Sequence, residues 1–127
     1  MSRDRQRLLD YLAHILEAIN RIEEYTAETD ETVFLTNTLV QDAVIRNLEV
    51  IGEASRNIGQ HYPSFAAEHP ELPLAVAYEM RNALSHGYFK VDLEIVWRTI
   101  HSDLPSLENT VRNVIEKIEN HSDADRG

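Results

Sequence analysis

The sequence predicts an all-α fold, an up-and-down bundle of four to five helices, and three observations carry that expectation. Apolar residues recur at spacings of three and four along nearly all of the 127 residues, as they do in helices that bury one face. Only four glycines and four prolines are present, too few to punctuate a turn-rich β architecture. Three of those prolines, Pro63, Pro70 and Pro73, fall in one stretch, which confines the strongest chain break to a single connection. The length suits one domain with one core, expected over residues 1–120 with a polar tail at 121–127.

Leu8, Leu12, Ile15, Leu16, Ile19 and Ile22 form one continuous stripe on a long first helix. The acidic segment 25–31 reads as a connection. Leu39, Val40, Val44, Leu48, Ile51 and Ile58 mark a second long helix. Gly52 in its middle costs about 1 kcal/mol relative to alanine, which a close helix–helix contact explains. Residues 60–73 read as a loop with a short turn of helix at Phe65-Ala66-Ala67. Pro73 then stands at the first turn of a third helix, from Leu74 to about Ser85, ended by Gly87. Asp92 is the expected N-cap of a fourth helix carrying Val96, Ile100, Leu107, Val111, Val114 and Ile118, and Pro105 should kink or divide it. The tail from His121 is expected to fray.

Composition limits the function. With no cysteine there is neither a disulfide framework nor a thiolate metal site, and a reducing, cytoplasmic setting is expected. No apolar run approaches the ~18 residues of a membrane span, and the first residues lead into an amphipathic stretch rather than a signal-peptide core. The formal charge of −10 repels a nucleic-acid backbone in general, so any such role needs a local site. Lys90 and Lys117 are the only lysines. Arg81, Lys90 and Arg98 lie close in sequence, and Arg46 and Arg56 are on the second helix; a bundle that gathers them would focus positive potential in an acidic body.

The chemistry concentrates at Glu79-Met80-Arg81-Asn82-Ala83-Leu84-Ser85-His86-Gly87-Tyr88-Phe89-Lys90. Asn82 and His86 are four apart and share a helix face, so Asn82 is placed to orient the imidazole. Arg81 and His86 are about 140° apart around an ideal helix; they converge only if the helix unwinds near Gly87 or a second copy supplies the partner. The helix C-terminus favours a charged His86, as would Glu79 or Glu53 nearby. A titrating imidazole beside a guanidinium that grips phosphate is an acid–base unit for phosphodiester chemistry. Without an accompanying metal-ligand set, an internal nucleophile is needed, and RNA supplies one in its 2′-OH. An arginine paired with a glutamate and a histidine capping a helix are equally ordinary structural features, so spacing alone leaves both readings open. His14, His61, His69, His101 and His121 form no metal-site pair and read as solvated or packing residues. Trp97 reads as core or interface, and the acidic run Glu23, Glu24, Glu28, Asp30 and Glu31 as a solvated helix end.

Arg81-Asn82-Ala83-Leu84-Ser85-His86-Gly87-Tyr88 resembles the R-x4-H-x-Y signature of HepT-like proteins, a prokaryotic branch of the HEPN superfamily. Asn47-Leu48-Glu49-Val50-Ile51-Gly52-Glu53-Ala54 is similar to the family's second-helix segment. Val91-Asp92, Val96-Trp97 and Leu104-Pro105-Ser106-Leu107 are similar to its continuation. The likeness runs from the first helix to about Ile118.

The resemblance implies a helical homodimer whose two R-x4-H motifs meet in an interface cleft, acting as a metal-independent ribonuclease without a cofactor. It implies the toxin of a toxin–antitoxin pair, partnered by a small nucleotidyltransferase of the MNT type. Arg81 and His86 would be catalytic, with Asn82 and Glu53 supporting them. Tyr88 would be the tyrosine silenced by transfer of AMP. Two other readings fit the same residues: a non-catalytic helical partner that binds nucleotide or substrate for a nucleotidyltransferase, and a purely structural dimerisation bundle.

Overall fold

The stripe at the N-terminus becomes one helix, α1 (Ser2–Thr26), in the computed structural model, which describes residues 2–86 and 92–126, leaving aside the side chains of residues 2, 85, 86 and 121–126. Six helices follow: α2 (Glu31–Thr36), α3 (Thr38–His61), α4 (Pro63–Glu68), α5 (Leu74–His86), α6 (Leu93–Ser102) and α7 (Leu104–Arg126). Among the described residues there is no strand. The long helices α1, α3, α5 and α7 make the expected bundle. α3 is its centre, packed on one side against α1 and on the other against α5, while α7 lies along α1.

The core is largely where the periodicity placed it, with one exception: Leu39, in the first turn of α3, is 79% exposed. Leu12, Ile15, Ile19 and Ile22 of α1, Val44 and Ile58 of α3, and Val111 and Val114 of α7 are fully buried. Each such side chain contributes roughly 1.5–3 kcal/mol through removal from water.

Just after the acidic connection comes an element the periodicity did not predict. Asp30 caps α2 by accepting from the Val33 N–H at 2.8 Å, and Phe34, completely buried, is the anchor of this six-residue helix. Its ring lies 5.2 Å from that of Trp97, so Trp97 serves the core. The Gln41 side-chain amide donates to the Phe34 carbonyl at 2.8 Å, satisfying a buried polar pair. Six residues are too few to display a period, and the cap and one aromatic anchor carry the element instead.

The remaining boundaries follow local chemistry. α4 begins at Pro63 and covers the expected helical turn. Asp92 accepts from the Glu94 and Ile95 N–H groups at 3.1 and 3.2 Å, starting α6. The expected fourth helix is divided rather than kinked: α6 ends at Ser102, and Pro105 occupies the second position of α7, where a missing N–H goes unnoticed. The tail also differs from expectation, since α7 continues as helix through Arg126; no glycine or proline interrupts residues 106–126. The helix stop expected at Gly87 lies outside the described residues. Among the described helices none is long and apolar enough to cross a membrane.

Candidate functional site

Gly52 brings α5 onto α3. A β-carbon at this position would overlap the Arg81 β-carbon, and would stand 2.8 Å from the Ala77 carbonyl oxygen and 2.9 Å from Arg81 Cγ. Only glycine permits this approach, and the approach lays the Arg81 side chain across α3. The guanidinium is then held at both ends. Nη1 donates to Asn82 Oδ1 at 3.0 Å, and Nη2 lies 3.5 Å from Glu53 Oε2. The other Glu53 oxygen is 3.6 Å from Arg56 Nη1, and the Arg56 guanidinium stands 5.8 Å from the Tyr78 ring centroid. Glu53 therefore bridges two arginines. With Arg81 30% exposed and Glu53 45% exposed, the pair contributes little to stability; its effect is to aim a guanidinium that still faces water.

Arg81 closes one wall of a groove of about 260 Å³. The floor is a single face of α3, with Arg46, Glu49, Val50, Glu53, Ala54 and Asn57 at helical spacing; Tyr11 and His14 of α1 form the opposite wall. The lining is mixed in sign, with two arginines against two glutamates, so the groove is not the uniformly acidic one that would speak against an anionic ligand.

Of the residues singled out in the sequence, Arg81, Asn82 and Glu53 converge, and Arg56 joins them through Glu53. The Asn82 side-chain oxygen accepts from Arg81, because the guanidinium turned over α3 passes its own neighbour; the expected orienting of His86 by Asn82 involves a side chain outside the described residues. α5 runs unbroken from Leu74 through His86, so the backbone does not unwind between Arg81 and His86. The His86 side chain lies outside the described residues, as do Tyr88 and Lys90. Arg98 sits exposed on α6 and does not line the groove.

Tyr11 and His14 were not legible as site residues. His14 lies off the apolar stripe of α1, and nothing in a single helix says which neighbour its polar face meets. The polar spacing Arg46, Glu49, Glu53, Asn57 was the available signal. Two other histidines are engaged locally: His69 Nδ1 is 3.0 Å from Glu71 Oε2, and His101 Nδ1 is 2.9 Å from the Trp97 carbonyl. Among the described residues no three His, Asp or Glu side chains gather as a metal site. In the acidic run, Glu23 is hydrogen-bonded to Glu108, joining α1 to α7.

Fold and site together define a small helical-bundle protein with a tethered, solvent-facing arginine in a polar groove. The chain belongs to the HepT-like ribonuclease family: residues 15–114 match the family described as "Ribonuclease HepT-like". It is 48% identical over 99 residues to a Thermococcus cleftensis protein named "Probable ribonuclease HepT", covering 78% of this chain and 87% of that one. It is 36% identical to a "Putative RNase" of Methanocaldococcus jannaschii, covering 82% of this chain and 93% of the relative. A second protein of that organism, named "Gamma-glutamylcyclotransferase and putative RNase", is 39% identical over 86% of this chain but only 48% of its own length. No solved structure matches the chain significantly.

Proposed function

We propose that the chain is a metal-independent endoribonuclease that cleaves RNA by attack of its own 2′-OH, the toxin of a HEPN/MNT pair. One observation carries the reading: Arg81 is tethered by Asn82 and Glu53 on one edge yet 30% exposed at a groove, as a phosphate-binding guanidinium must be. Membership of a ribonuclease family supports the choice of RNA.

In this mechanism Arg81 binds the scissile phosphate and stabilises the charge that builds on its non-bridging oxygens. His86 of one protomer removes the 2′ proton as the 2′ oxygen attacks phosphorus. The bond from phosphorus to the 5′ oxygen breaks, and the partner's His86 protonates that leaving oxygen. The products are a 2′,3′-cyclic phosphate and a 5′-hydroxyl. Because α5 stays helical through His86, a homodimer is the route by which one motif's arginine and the other's histidine meet. Transfer of AMP to Tyr88 by the MNT-type partner would add a negatively charged phosphate to the motif and so oppose binding of RNA.

Expression of Arg81→Ala and His86→Ala tests this. Both should fold, lose RNA cleavage and no longer inhibit growth, while wild type yields cyclic-phosphate ends. Cleavage that persists with a 2′-deoxy residue at the cut site would overturn the mechanism. Co-expression with an adjacent nucleotidyltransferase should add the mass of AMP to wild type and not to Tyr88→Phe. Wild type that is harmless alone but raises the activity of that enzyme would favour the non-catalytic binding role.

A further inference from the structure

The groove continues past Arg81, and it carries two further side chains, Arg46 and His14, that the cleavage step does not use. Arg46 projects from the α3 floor two turns before Glu53, and His14 faces the same space from α1. Among the described residues no carboxylate lies within ion-pair reach of Arg46. Glu53, the carboxylate nearest Arg81, is already shared between Arg56 and Arg81. From Arg46 to Asn57 the floor runs about 16 Å along the helix axis, room for more than the reacting phosphate. Tyr11 borders the groove with its ring 6.4 Å from Tyr62 in an edge-on pair, a braced aromatic surface of the kind on which single-stranded bases stack.

We infer that this groove is the seat of the nucleotide next to the scissile phosphate, with Arg46 holding the flanking phosphodiester, His14 donating a hydrogen bond to it, and Tyr11 supporting its base. The inference rests on the ribonuclease reading and adds to it the substrate's form, single-stranded RNA, and the residues that choose its register. In a chain of charge −10, a groove whose two arginines balance its two glutamates is a local relief of the negative field, and Arg46, in none of the ion pairs among the described residues, is left to meet a phosphodiester. Arg46 and His14 act on binding rather than on the proton transfers, so they are positioning residues.

The test is binding of a short 2′-O-methyl RNA strand, which cannot be cleaved, followed by fluorescence anisotropy across a salt series. Arg46→Gln should weaken binding about tenfold at low salt, the size of one lost charge-assisted hydrogen bond. It should also reduce the slope of log K against log salt by about 0.7, one single-strand phosphate contact. His14→Ala should weaken binding less, and Arg112→Gln, on α7 away from the groove, should leave it unchanged. On cleavable RNA, Arg46→Gln should raise KM and spare kcat. If Arg46→Gln binds with wild-type affinity and slope while wild type cleaves RNA, the groove assignment fails and the ribonuclease reading stands. Arg46-dependent binding without cleavage by wild type means the opposite: the groove binds RNA and the ribonuclease reading fails. A change of oligomeric mass in Arg46→Gln with unaltered RNA affinity makes the groove a subunit contact and overturns the inference.

Discussion

Arg81 lies against α3 at the one position, Gly52, where a side chain would collide with it. The collision partners are the Arg81 β-carbon and the Ala77 carbonyl oxygen, 2.8 Å from the place a Gly52 β-carbon would occupy. Neither is a flexible tip that could swing aside. Gly52→Ala should therefore be destabilising although alanine is the better helix former by about 1 kcal/mol. Overpacking costs roughly 1–3 kcal/mol, and forcing the two helices apart moves Arg81 off its partners. Urea denaturation should show a lower midpoint with an unchanged slope, and RNA cleavage should fall further than the stability loss accounts for.

Glu53 should matter for rate more than for folding. Its pairs with Arg81 and Arg56 are long, 3.5 and 3.6 Å, and nearly half exposed, so Glu53→Gln should change unfolding free energy by less than about 1 kcal/mol. The loosened guanidinium should lower kcat about tenfold. Equal denaturation curves with a slower turnover are the expected pair of results; an unchanged kcat would show that Asn82 alone suffices to hold Arg81.

Two carboxylates joining α1 to α7 give stability a dependence on acidity. The hydrogen bond to Glu108, with burial adding to it, holds the Glu23 carboxyl above its ordinary range. The same bond, with that to Arg112, holds Glu108 below its own. The raised group contributes at low pH and its contribution is lost as pH rises through its folded value. The lowered group contributes at higher pH and is lost as pH falls through its folded value. The pair is therefore best satisfied in mildly acid solution, where it shares one proton. Glu23→Gln keeps a donor facing Glu108 at every pH, so its thermal midpoint relative to wild type should rise from pH 5 to pH 8.

Asp92→Ala removes the acceptor for two N–H groups at the start of α6 and should cost about 1 kcal/mol, the usual loss for such a cap. Asp92→Ser should recover most of it. Denaturation of the three proteins side by side measures both.

The long helices were readable because burial on one face repeats at the helical period, and Asp92 and Pro105 were readable because capping and the missing proline N–H act within a few residues. α2 escaped because Phe34 supplies its burial almost alone. At the site, Arg81 stood out from its motif, and Gly52 announced a close contact without naming what approached. The engagement of Asn82 with Arg81 depends on how the guanidinium crosses a neighbouring helix, and His14 enters the groove only because α1 flanks α3. Both are facts of tertiary placement, to which local periodicity is blind.

One helix carries the groove floor on one side and much of the core on the other. Val44, Leu48, Ile51 and Ile58 lock α3 inward, while Arg46, Glu49, Glu53 and Asn57 face the opening. The arginine seat at Gly52 is thus on the same helix as buried core residues, whereas the α1 wall contributes exposed His14 and half-buried Tyr11. Such a division separates the anvil from the guide. If the groove seats RNA as inferred above, exchange of the two α1 side chains should alter which RNA is accepted while Arg81 keeps its tether on α3.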